Sequence, residues 1–156
     1  MTHYLILKWI HIVSSVLLVG TGFGSAFYMF FVNKSKNLEA QAIVSRLVCR
    51  ADWWFTTPTV ILQPITGIAM ATIAGWPLTT PWIIISLVLY VFAGVCWLPV
   101  VWIQLKMAKL AQLALQNKNA LPPEYWKLAK IWEWLGYPAF IAMVVIFYLM
   151  VNKPNI

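Results

Sequence analysis

Acid is scarce in this sequence. Glu39, Asp52, Glu124 and Glu133 are its only carboxylates, against eleven Lys and Arg in 156 residues, and each falls at the edge of an apolar stretch. No zinc-protease helix, phosphate loop or nucleotide-binding glycine pattern occurs, so those enzyme classes are excluded. Any catalysis would have to belong to a cofactor. Cysteine is limited to Cys49, in a charged stretch, and Cys96, in an apolar one. That pair points to neither a disulfide framework nor a metal site. Of two histidines, His3 and His11, only His11 lies where a bilayer would bury it.

What is abundant fixes the solvent. The chain is 62% hydrophobic, with a mean hydropathy of +0.80, far above the roughly 45 to 50% apolar usage of soluble domains. Four stretches reach the length of about 20 residues that a spanning helix needs: 4–32, 53–75, 82–105 and 134–151. The expected fold is all-α, a polytopic membrane four-helix bundle forming one domain over 1–156. The first stretch is read as retained, because no small-residue cleavage site follows a short apolar core.

Charge sets the orientation. Lys34, Lys36, Arg46 and Arg50 follow the first stretch, Lys106, Lys109, Lys118, Lys127 and Lys130 follow the third, and only Lys8 and Lys153 lie on the other side. The positive-inside rule places both basic loops in the cytoplasm and both termini in the periplasm of a bacterial inner membrane. The net charge of +7 is thereby explained by topology and anionic lipid, and nucleic acid is set aside as a partner. Asn37 to Arg50 and Leu121 to Trp132 mix apolar residues with charge. They are expected as short amphipathic helices at the membrane surface.

Phase along the stretches names the inward faces. Tyr4, Lys8, His11, Ser15, Leu18, Gly22, Ser25 and Met29 share one stripe of the first helix. Thr56, Thr59, Gln63, Thr66 and Met70 share one on the second, where Pro58 and Pro64 free backbone carbonyls. Ser86, Tyr90, Ala93, Trp97 and Gln104 are in phase on the third, and Tyr137, Ile141, Val144 and Tyr148 on the fourth. Gly20 and Gly24 have the spacing that lets another helix approach, which leaves a homodimer open. A faint repeat links the halves: Trp54 precedes Pro58 by four residues as Trp134 precedes Pro138, each with an acid just before.

An ionisable group in hydrocarbon is read first as a functional site. His11 lies about 10 Å in from Tyr4 and Met70 about 7 to 8 Å in from Gly75. Imidazole and thioether at matched depth are candidate axial ligands for the iron of a b-type haem. Lys8 is then a candidate partner for a propionate, with Gln63 and Tyr90 lining the pocket or tying helices together. Against this stands a plainer reading, in which His11 hydrogen-bonds a neighbouring helix and Lys8 snorkels to the headgroups.

The run Leu7 to Ser15 with Gly20-Thr21-Gly22, then Asp52-Trp53, Thr57-Pro58, Gly67, Leu89-Tyr90 and Trp97 to Val101, resembles the DUF2269 family of integral membrane proteins of unknown function. The chain is more distantly similar to the four-helix haem-binding bacterial protoporphyrinogen oxidase and to copper-resistance-D-like membrane proteins. The oxidase likeness, a Lys followed three residues later by a His, implies a haem-related role for His11. A lysine of that oxidase type is missing from Trp82 to Leu89, which counts against oxidase activity. The expectation is haem b held through His11 for electron transfer, tetrapyrrole handling or redox sensing, with a redox partner. The alternatives are a cofactor-free accessory protein and a copper-handling one.

Overall fold

The computed structural model describes residues 2–154, and among them every regular element is helical. Helix α1 is Thr2–Ser35, α2 is Leu38–Ala51, α3 is Thr57–Ile73, α4 is Pro81–Gln116 and α5 is Pro123–Asn152. Helices α1, α4 and α5 are long and apolar enough to cross a membrane. Helix α3 has 17 residues and continues α2 through a π-helical turn, Asp52–Thr56. The chain therefore folds as two antiparallel hairpins, α1 against α2–α3 and α4 against α5.

The π turn has a local cause. Pro58 has no N–H to give Trp54, and its ring crowds that carbonyl, so the preceding turn widens. The Thr57 amide reaches back to the Asp52 carbonyl, and the Thr57 hydroxyl bonds the same oxygen at 2.9 Å. Thr59 donates to the Phe55 carbonyl at 2.6 Å. Two threonines thus stitch a bulge that proline opens.

The second proline is answered from the other hairpin. Pro64 leaves the Val60 carbonyl without its helical donor, and the Tyr90 hydroxyl of α4 donates to that oxygen at 2.6 Å. An unsatisfied carbonyl in hydrocarbon would cost several kcal/mol, which is why neighbouring helices supply partners at such sites.

Of the two loop stretches, 37–50 forms a short helix as expected, α2, and 121–132 does not form a separate one. At 34 and 36 residues, α1 and α4 run about 50 Å, well beyond the ~30 Å hydrocarbon core. The excess lies at the end that carries the basic residues. There α2, the ends of α1 and α4 and the start of α5 pack around Met29, Ala42, Met107, Ala111, Tyr125 and Ala129, all buried. The stretch 121–132 is not a separate helix but the first turns of α5. Helix α2 buries Gln41, Ala42, Ser45 and Val48 against the bundle and leaves Leu47 exposed. Gln112 bonds the Ala42 carbonyl at 2.8 Å, and Tyr125 bonds Asn33 Oδ1 at 2.8 Å. Burying these faces against protein outweighs laying them on a surface.

The inward faces of α1 and α3 agree with the sequence at Leu18, Ser25 and Met29, and at Thr56, Thr59, Gln63 and Thr66, all buried. That of α5 does not. Tyr137, Ile141, Val144 and Tyr148 are exposed, and Ala142, Ile146 and Leu149 are buried. A helix apolar on all sides carries little phase information, and close packing on α4 selects the face with the small Ala142. At the opposite end from α2, Trp82, Ile83 and Leu149 form a second cluster with Ala71, capped by Lys153 over the Trp76 and Trp82 rings.

Candidate functional site

His11 sits where α1 meets α3. Its Nδ1 is 2.8 Å from the Thr66 hydroxyl, and that hydroxyl is also 2.6 Å from the Leu62 carbonyl. A hydroxyl has one proton, and the carbonyl takes it, so Nδ1–H donates to Thr66 and Nε2 keeps its lone pair. Gln63 donates from Nε2 to the His11 carbonyl at 2.9 Å and to Ser14 Oγ at 2.6 Å. Gly67 makes the approach feasible: a Cβ there would stand 3.2 Å from His11 Cε1. The small-residue seam of α3 therefore admits an imidazole.

The five residues expected to form a site are not all brought together. His11 and Gln63 meet in this clasp. Met70 is half-buried one turn beyond Thr66 on α3, and Lys8 is exposed. Tyr90 lies elsewhere, on the wall between the hairpins, bonded to Val60. Around Gly20 and Gly24 a Cβ would meet nothing within 4 Å, so that seam is unused within the chain. Among the described residues no three His, Cys, Asp or Glu side chains gather as a metal would need.

An opening between the helices lies apart from His11. A cleft of about 570 Å³ runs between the hairpins, in the half of the helices next to the basic loops. Its walls are mainly apolar and aromatic, with Phe23, Phe27, Trp97 and Phe140 among them. The Phe23 and Phe140 rings lie 5.7 Å apart, from α1 to α5. Lys8, His11, Gln63 and Met70 do not line it, and Tyr90 does. Such a size and lining are those of ligand sites in general.

Polar groups gather at one end. Asp52, Thr56, Gln104, Trp132 and Glu133 all border the cleft. Asp52 is 6% exposed, and its Oδ1 accepts from the Thr56 hydroxyl at 2.8 Å. Gln104 Oε1 and Trp132 Nε1 are buried without a partner. The sequence held a signal for this end: the acids of the faint repeat, Asp52 and Glu133, come from opposite hairpins and border the same cleft. Reading all acids as edge residues passed over it.

No curated protein and no solved structure matches the chain. Residues 5–154 match the family described as Predicted integral membrane protein (DUF2269), and because the match takes in nearly the whole chain, the protein belongs to that family.

Proposed function

We propose that this is a four-span protein of the bacterial inner membrane, its basic loops cytoplasmic and its termini periplasmic, that holds an apolar molecule drawn from the bilayer. The observation that carries this reading is the cleft of about 570 Å³ between the hairpins. An apolar wall alone would pack shut or fill with acyl chain, but the polar groups at its inner end give a guest a fixed orientation. The fourth span is α3 with its π turn, whose Thr59, Gln63 and Thr66 are buried while Ile61, Leu62, Ile65 and Ile68 are exposed, as side chains facing lipid would be.

Gly94 and Gly136 border the cleft, and a Cβ at either would meet nothing within 4 Å. Gly94→Leu is therefore expected to fill part of the space. Purified protein is expected to bind the neutral fluorophore diphenylhexatriene saturably, and Gly94→Leu to lose that binding while keeping its thermal midpoint. Equal binding by both proteins would end the proposal.

A second reading keeps haem b on His11, for electron transfer, tetrapyrrole handling or redox sensing. It is supported by the Nε2 lone pair, since a ligating histidine commonly donates its other N–H to a fixed partner, here Thr66. A haem so held would lie outside the cleft, because His11 is not among its walls. Protein expressed with ample haem is expected to show a Soret band that His11→Ala removes. A colourless preparation, or a band indifferent to His11→Ala, refutes this reading.

A further inference from the structure

Charge in the cleft runs against the charge of the chain. Eleven Lys and Arg outnumber four acids in the sequence, yet Asp52 and Glu133 border the cleft and no Lys, Arg or His does. The two carboxyls come from different hairpins, Asp52 from the π turn and Glu133 from α5. Beside them Gln104, 4% exposed, has an acceptor oxygen without a donor. The walls above are rings, Phe27 and Trp97 among them. This end lacks a donor for Gln104 Oε1, an acceptor for Trp132 Nε1 and a positive charge to answer the two carboxyls.

We propose that the cleft takes a lipophilic amine in its protonated form, its ammonium held between Asp52 and Glu133 and its apolar body along the aromatic walls. The inference rests on the cleft being a ligand site and adds the chemistry of the guest. An N–H of the ammonium supplies the donor that Gln104 Oε1 lacks. Away from bulk water the buried Asp52 carboxylate attracts a cation more strongly than it would at the surface. Aromatic faces add attraction for the same charge and none for an anion. A neutral alcohol of equal length gains the apolar contacts alone.

The test compares 1-dodecylamine with 1-dodecanol, read as ligand adducts in native mass spectrometry of the detergent-purified full chain. The amine is expected to saturate at about tenfold lower concentration than the alcohol. Asp52→Asn and Glu133→Gln, each nearly isosteric, are expected to raise the amine concentration needed about tenfold and to leave the alcohol unchanged. Two variants on separate hairpins guard against one of them misfolding. Amine and alcohol binding alike, with both variants indifferent, overturns the cationic guest and leaves the cleft as an apolar site. Saturable binding of neither ligand overturns the ligand site itself.

Discussion

The hydroxyl of Tyr90 donates at 2.6 Å to the carbonyl of Val60, the oxygen that Pro64, four residues on, has no N–H to satisfy. A carbonyl left open on one hairpin is thus satisfied by the other, and the bond ties α3 to α4 along the wall of the cleft.

Tyr90→Phe is expected to cost about 1 to 2 kcal/mol, since it orphans a buried carbonyl. In a Pro64→Ala background the new amide takes that carbonyl, and the same substitution is expected to cost much less. Thermal unfolding of the four proteins in one detergent measures the coupling. Costs that simply add would mean the two residues do not share the oxygen.

Gly67 and His11 are expected to couple as well. Alanine is better than glycine inside a helix by roughly 1 kcal/mol, so Gly67→Ala should stabilise a His11→Ala protein. With the imidazole present, the added Cβ meets Cε1 at 3.2 Å and the ring cannot retreat without loosening its bond to Thr66. The gain is expected to shrink or reverse. An equal gain in both backgrounds contradicts the placement of the ring.

Cys49 is expected to be a slow thiol. Burial, with the Asp52 charge adding to it, pushes its pKa up to about 11, which leaves roughly a hundredfold less thiolate at neutral pH than an ordinary cysteine has. Iodoacetamide at pH 8 should label it slowly in the folded protein and quickly after denaturation. Fast labelling of the folded chain would place the thiol in water.

Much of the architecture was legible because the bilayer simplifies the reading. The apolar stretches near 4–32, 82–105 and 134–151 correspond to α1, α4 and α5, since length and hydropathy alone decide whether a segment can satisfy its backbone in lipid. The polar stripes of α1 and α3 were legible for the same reason: Ser25, Thr59, Gln63 and Thr66 must turn toward protein. Helix α5 offered no polar marker along 141–147, and there the expected face was wrong. The site fared less well. His11 was singled out by the cost of burying it, but that cost is equally met by a hydrogen bond across to Thr66, and no pattern within one helix distinguishes the two.

The sequence by itself settled that this chain belongs in a membrane, which stretches are apolar enough to cross it and where a helix must lose a backbone hydrogen bond, because each of these depends on local composition and on the missing N–H of proline. Which faces meet, that Tyr90 finds Val60, that Gly67 yields to His11 and that Asp52 and Glu133 come to one cleft were decided only in the fold. Those relationships join residues 30 to 81 positions apart, and their energies come from packing and desolvation between helices, quantities that exist only once the hairpins have closed on one another.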